Sequence, residues 1–438
     1  MKPTAPLVFL LALLPATVFA DDLRGHGGPV RGLSVAIDGR TAVSGSFDST
    51  AILWSLETGS AHEVFRFHAG SVNAVIFLPG PLPLGPLPSG PRFATAGDDG
   101  RIALWKTGSA MPERVLEGHR GPVVALALSA DGSRLASAAW DGSARVWPLD
   151  GAGEVRVFEG HQGNVNGIGF LGTGEIATVG YDATLRLWPA SGPARVTTFE
   201  TPLNALAVLS DGRLAVGGGD GRLRIVSASD GSIAAEIEVA PTPISAIAVS
   251  ADGQRIAASG LRGAVQILDA RTLERLRTLV GPGMPVWSLA FVPGTSDLLT
   301  GGNDRLVRRW DTKTGAHLGN GALLAEADPL AAYGDDPGAA VFRACVACHT
   351  LQPSEGVRAG PTLHGVMGRR IATLPGYDYS PAFAGHDIVW TKATIARLFE
   401  IGPHAYTPGT KMPEQTITRA ESRDALVDFL ERATASKE

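Results

Sequence analysis

The chain holds two cysteines, and both fall in the seven-residue stretch ACVACHT at residues 344–350. Cys345, Cys348 and His349 stand in the order Cys-x-x-Cys-His. On one helical turn this spacing brings two sulfurs to the same side and sets an imidazole beside them. Two such thiols form thioethers to the vinyl groups of a haem, and the adjacent imidazole then ligates its iron. The pattern therefore predicts one covalently bound haem c. A redox dithiol or half of a zinc site uses the same two thiols. The first calls for a thioredoxin-like surround and the second for another Cys/His pair, and the sequence supplies neither.

An iron held by one imidazole has a sixth position to fill. Met412 is the candidate, in Pro408-Gly409-Thr410-Lys411-Met412-Pro413, where proline and glycine set a loop from which a thioether can project inward. Met367 is its rival, in a run that reads as packing beside the cofactor, and a lone methionine is more often core filler than ligand. Ligation by His and Met raises the reduction potential and closes both axial faces, which suits electron transfer rather than oxygen or peroxide chemistry.

These residues lie in a longer pattern. VFRACVACHT, GPTLHGVMGRR, LPGYDYS, Trp390, YTPGTKMP and a closing LVDFL follow one another between residues 338 and 433. In this the chain resembles class I cytochrome c, in its mitochondrial and soluble alphaproteobacterial branch. The resemblance implies an all-α domain with His349 and Met412 as iron ligands. It implies that Pro361 offers its carbonyl to the ring N–H of His349, and that Arg369, Tyr379 and Trp390 hydrogen-bond the haem propionates. Phe399 stands where many members have a tyrosine near the axial methionine. The electron-transfer face of the family is often ringed with lysines, yet Lys392, Lys411 and Lys437 are the only ones here. Strong steering toward an acidic partner is not expected, so docking must rely on shape or on the rest of the chain.

The elements that must position these residues begin at the other end. A chain of 438 residues has room for two or three domains. Its 55 glycines and 30 prolines point to many turns, and a net charge of −5 argues against nucleic acid or an anionic membrane as main partner. Residues 1–20 read as a secretory signal, with one Lys, an apolar run from Leu7 to Leu14 and small residues before a cleavage point after Ala20. The apolar run is too short for a comfortable membrane anchor. Export to the periplasm agrees with covalent haem attachment, which takes place outside the cytoplasm in bacteria. The two thiols of the haem motif leave no cysteine for a structural disulfide.

From His26 to about Gly321 the sequence repeats with a period near forty. The clearest units start at His26, His68, His119 and His161. Strands end in Trp54, Trp105, Trp147, Trp188 and Trp310. Six residues before each stands Asp48, Asp99, Asp141, Asp182 or Asp304, and ten before stands Ser44, Thr95, Ser137, Thr178 or Thr300. Two further units have Val226 and Leu268 in place of Trp; Asp220 survives in the first and Arg262 replaces it in the second. The total is seven. The pattern resembles the WD-repeat family, which implies a seven-bladed β-propeller of four-stranded sheets. Of the five strand-ending tryptophans, only Trp310 is followed by an aspartate. The recurring His, hydroxyl and Asp are expected to be buried structural hydrogen bonds rather than repeated catalytic triads, because an active site would break the period once instead of following it.

Four details complete the expectation. A proline-rich insertion at residues 79–91 lengthens the second unit and reads as an extended surface loop. His62 and His317 fall off the repeat, in expected turns open to solvent. The outer strand of the last blade could come from residues 22–24 or from residues 315–320; the latter offer more chain, so the ring is expected to close by side-chain packing. Asp336-Pro337 marks a helix start, and that helix is expected to cross the last one near Leu426, Phe429 and Leu430, with Gly338 or Ala339 allowing close approach.

The whole is a multidomain chain: signal peptide 1–20, an all-β seven-bladed propeller 21–321, a linker 322–335 and an all-α class I cytochrome c domain 336–438. The expected function is periplasmic electron transfer, with the propeller as docking platform for a redox partner protein and no membrane span in the mature form. The alternative is a redox enzyme, or a subunit of one, holding a substrate or second cofactor in the propeller. The period leaves no cluster of off-repeat His, Tyr or carboxylates to serve it.

Overall fold

A computed structural model of the chain describes residues 22–79, 92–151, 153–172, 174–281, 283–319, 330–343, 345–346, 348–353, 358, 360–377, 379, 383, 385–408, 410, 412 and 416–435. The expected signal segment 1–20, the proline-rich residues 80–91, most of the expected linker, Lys411 and Lys437 lie outside the described residues.

Seven antiparallel four-stranded sheets form a ring, the β-propeller that the period predicts. Six of them take their strands in order from one stretch each: residues 30–66, 72–116, 123–159, 165–198, 203–238 and 244–280. First strands meet first strands around the centre, and Val30–Val35 packs against Val286–Phe291 to complete the circle. Middle strands are covered on both faces by neighbouring blades, so Thr41–Ser46 and Arg134–Ala139 are buried nearly throughout. That is why they are runs of Ala, Gly, Ser and Val without strict alternation. Outer strands such as Ile233–Glu238 are mostly exposed and carry charge. Blades approach closely: a Cβ on Gly45 would stand 2.6 Å from Val72 of the next blade, and one on Gly217 the same distance from Ile244.

The recurring polar residues join the strands of each blade. In the first, the Trp54 indole N–H donates to the Ser44 hydroxyl at 2.7 Å, and that hydroxyl meets His26 Nε2 at 2.7 Å. His26 Nδ1 donates to Asp48 at 3.0 Å. The carboxylate fixes the tautomer, placing the ring hydrogen on Nδ1. The same chain runs through His68, Thr95, Asp99 and Trp105, through His119, Ser137, Asp141 and Trp147, and through His161, Thr178, Asp182 and Trp188. In two blades that lack the initial His, an arginine four residues after the Asp replaces it. Arg224 pairs with Asp220, and Arg308 with Asp304.

Ring closure differs from the sequence expectation. Leu23–Arg24 forms the fourth strand of the seventh blade, with Leu23 opposite Val307 and Arg24 opposite Leu306. A strand from the other terminus therefore closes the ring. Among the described residues, the segment after Trp310 contributes only a single bridge, Trp310 with His317, at the far end of the same edge. His317 is not a solvated turn residue: its Nε2 meets the buried Asp22 carboxylate at 2.6 Å, and the other carboxylate oxygen takes Arg308 at 2.7 Å. Asp22 thus pins both pieces of the edge, joining residues nearly three hundred positions apart. His62 is exposed as expected, but it lies within the strand Ser60–Arg66 rather than in a turn.

After the propeller come short helices with a separate hydrophobic core. α1 spans Pro337–Phe342, α2 Lys392–Ile401, α3 Pro403–Tyr406 and α4 Ala420–Ala433. The described backbone between α1 and α2 is mostly turns, with one bridge pairing Arg370 and Val389. Asp336 caps α1, accepting the amides of Gly338 at 2.8 Å and Ala339 at 3.2 Å. A Cβ on Gly338 would collide with the Ala425 carbonyl and with Phe429, so glycine is what lets α1 lie directly on α4. Phe342, Leu398, Phe399, Leu426, Phe429 and Leu430 fill the core between α1, α2 and α4. No helix among the described residues is long and apolar enough to cross a membrane.

Two outcomes follow from the networks and the closure. Asp22→Ala leaves Arg308 partly unpaired in a buried site, and is expected to lower the unfolding free energy of the propeller by about 3 kcal/mol in a denaturant titration. The second concerns pH. Burial pushes the Asp48 and Asp141 carboxyls up, but the hydrogen bonds and charges around them outweigh it and hold both below the ordinary 3.8, Asp141 at about 2. Burial lowers His119 and His161 below 6.5 against the pull of their aspartates. All four bind protons less readily folded than unfolded, so stability falls as pH falls. The histidine contribution is complete above 6.5 and is lost below it; the carboxylate contribution is complete above 3.8 and is lost as pH drops through the folded values. Thermal midpoints measured from pH 8 to pH 3 are expected to decline in that order.

Candidate functional site

The two cysteines sit on a continuation of α1. Cys345 N–H donates to the Phe342 carbonyl at 2.7 Å, Cys348 N–H to Cys345 at 3.1 Å and His349 N–H to Cys345 at 2.9 Å. The helical turn that the spacing requires is thus present, anchored below by Phe342 in the core. Cys345 packs at the margin of that core, and Cys348 faces the propeller.

His349 is set by its neighbours on the following loop. Its Nδ1 stands 2.7 Å from the Pro361 carbonyl. A carbonyl only accepts, so Nδ1 carries the hydrogen and Nε2 keeps its lone pair for a metal. The Gly360 amide donates to the Cys348 carbonyl at 2.8 Å. A Cβ there would lie 2.6 Å from His349 Cε1, so only glycine leaves the ring its place. Loss of water around the imidazole lowers its pKa, with the Pro361 contact opposing, and the ring is neutral at neutral pH.

The thiols are poor candidates for dithiol chemistry. Burial pushes Cys345 up to about 11, and burial with the nearby Asp48 carboxylate pushes Cys348 up to about 12. A redox-active or metal-binding cysteine needs the opposite shift, toward thiolate. Among the described residues no group of three or more His, Cys, Asp or Glu could hold a metal ion, so no zinc set completes the pair. Two neutral thiols beside an imidazole with a free Nε2 are a donor set that fits a covalently attached haem.

The other expected site residues divide into two groups. Arg369, Tyr379 and Trp390 gather around the loop 362–369. The Arg369 guanidinium donates to the carbonyls of His364 at 3.0 Å and Thr362 at 2.9 Å. Burial lowers the pKa of Arg369 and raises that of Tyr379, while each acts electrostatically on the other. Trp390 pairs through its backbone with Arg369 and Gly368, at 2.9 and 2.8 Å. Met412 and Met367 form the second group, both partly buried against the core that Cys345 and Trp390 also border. Met412 N–H meets the Thr410 hydroxyl at 3.2 Å. Phe399 is buried in the core. Lys392 is engaged within the fold, on Asp428 at 2.9 Å and Glu431 at 2.7 Å.

Two further residues that the sequence does not single out stand beside the cysteine turn. Arg358 reaches across the cysteine turn, its Nη1 donating to the Val346 carbonyl and, at 3.1 Å, to that of His349. Arg66, at the end of an outer strand of the first blade, donates to the Arg358 carbonyl at 2.9 Å. Arg66 also stands 4.2 Å from the centre of the Tyr377 ring. Neither residue has a local motif; Arg66 and Arg358 are 292 positions apart.

Residues 18–55, 110–148, 153–189 and 273–311 match the family model described as WD domain, G-beta repeat. The chain is also similar to "Cytochrome c type-1" of Ascaris suum, 39% identical over 97 residues, which is 22% of this chain and 85% of that protein. It is 40% identical over 91 residues to "Cytochrome c 2.1" of Caenorhabditis elegans, 21% of this chain and 80% of the relative. "Cytochrome c" of Arabidopsis thaliana is 39% identical over 98 residues, 22% and 87%.

Proposed function

This chain belongs to the cytochrome c family over 22% of its length, and on that premise we propose that it is an exported one-electron carrier with a single haem c in its C-terminal part. The observation that carries the reading is the cysteine turn, where two thiols precede a histidine whose Nδ1 donates to the Pro361 carbonyl. Haem supplies a one-electron couple at its iron. Everything else is the work of the chain. Cys345 and Cys348 would hold the group through thioethers, and His349 would offer Nε2 to its iron. Pro361 fixes the imidazole plane and increases its basicity. Met412 would offer a thioether as the second ligand, which would favour the reduced state and exclude small ligands. Arg369, Tyr379 and Trp390 would hydrogen-bond the propionates.

The C-terminal part is proposed as a class I cytochrome c domain, with α1 crossing α4 as its frame. Residues 1–20 direct export, and the mature protein begins at Asp21 in the periplasm. The propeller is a rigid platform for a redox partner protein, and the negative net charge argues against nucleic acid as its main partner. Tethering the haem to that platform raises its effective concentration at a docked partner.

The test is a reduced-minus-oxidised spectrum of the exported protein, extended to the near-infrared band that reports a methionine sulfur on ferric iron. One low-spin haem is expected, with the band lost in Met412→Ala and kept in Met367→Ala. Loss in Met367→Ala alone would reassign the ligand. Absence of haem from protein exported by cells competent in haem attachment would remove the proposal.

A further inference from the structure

Three contacts join the propeller to the cysteine turn, and all fall on one end of the ring. Gly27, in the loop that leads into the first blade, abuts Cys348 so closely that a Cβ on the glycine would collide with the sulfur. The Gly27 amide donates to Asp48 Oδ2 at 2.7 Å, so this loop is tied into the buried network of its blade and cannot easily yield. Arg66 leaves the same blade and grips the loops that follow the cysteine turn at two points, the Arg358 carbonyl and the face of Tyr377. Arg358 in turn donates to the carbonyls of Val346 and His349. Asp48 and Arg305, from the first and seventh blades, are close enough to act on the charge of Cys348.

The sulfur that bonds a haem vinyl marks the edge of the ring. A surface packed on that sulfur covers the edge through which electrons reach the iron by the shortest path. We infer that the Arg66 contact is a latch, which seats the cysteine edge of the haem pocket against the propeller when closed and exposes it to a redox partner when open. The inference rests on the haem reading above. It alters the role of the propeller, which covers the electron-transfer edge as well as offering a platform. It also accounts for the scarcity of lysines there, because an edge already covered by its own chain has no need of a charged ring to attract a stranger.

The holding forces set the scale. A cation over an aromatic face, with one hydrogen bond beside it, biases the open–closed equilibrium by about tenfold. A latch of that strength holds the closed state without preventing release. Opening removes Arg66, Arg305 and Asp48 from the neighbourhood of the haem and admits water to its edge.

The experiment uses the full-length exported protein and two variants, Arg66→Ala and Gly27→Val. The first releases the grip; the second forces the surfaces apart with a side chain and leaves Arg66 in place. The reduced proteins are oxidised by ferricyanide, which is small, and by purified mitochondrial cytochrome c, which needs access to the edge. Both variants are expected to react with cytochrome c about tenfold faster than the parent, and with ferricyanide within about twofold. Hydrogen exchange on the same samples is expected to rise together at residues 26–28 and 345–349. Unchanged rates with cytochrome c, combined with unchanged exchange at both segments in both variants, would overturn the latch. Failure of the haem reading is distinct: the samples would show no haem spectrum, while the exchange measurement would still report whether the contact exists.

Discussion

Everything in the C-terminal part depends on holding five residues in one turn. Two sulfurs and an imidazole must face the same side, and a helix of six residues such as α1 is far too short to be stable in isolation. Three supports make it rigid. Gly338 lets α1 lie on α4, so that Phe342 and Phe429 bury each other at 5.5 Å between ring centres; each buried phenylalanine contributes about 2 kcal/mol. Pro361 and Gly360 fix the imidazole from the following loop. Arg358 ties the carbonyls of Val346 and His349 from outside. None of these supports is itself a ligand, yet each sets where a ligand points.

The propeller solves a different problem by similar means. A ring of sheets has two loose ends, and its edge must be paired before the seventh blade is complete. Leu23–Arg24 supplies the pairing, and the buried Asp22 carboxylate holds it through Arg308 and His317. Within the blades the His–hydroxyl–Trp chains select one packing of strands that are otherwise made of small, interchangeable residues. The two structures meet at Asp48. Its carboxylate completes the network of the first blade and also accepts the Gly27 amide under Cys348. Rigidity in the blade is thereby passed to the surface on which the cysteine turn rests.

What could be read from the sequence was what repeats or lies close along the chain. The forty-residue period gave seven sheets, and the regular spacing of Ser44, Asp48 and Trp54 gave the network inside a blade. Asp336 followed by Pro337 marked the start of α1. The ring closure was misread because chain length was weighed and charge was not: Asp22 is a lone acid until Arg308 and His317 stand beside it. His317 looked solvated for the same reason. Arg224 and Arg308 replace histidine at a different position in their blades, so a search for the same residue in the same place passes over them. Arg66 and Arg358 were invisible because their contacts join the two parts of the chain, and no period or motif spans that distance.

The central claim is that Cys345 and Cys348 carry a haem on a turn pinned by its surroundings. The most direct measurement is mass spectrometry of the exported protein after trypsin, which cuts after Arg343 and Arg358 and isolates residues 344–358. The account predicts that this peptide alone carries the mass and visible absorbance of one haem, with neither cysteine open to alkylation. A peptide with two alkylated cysteines and no haem, recovered from cells that load other exported cytochromes, would contradict it.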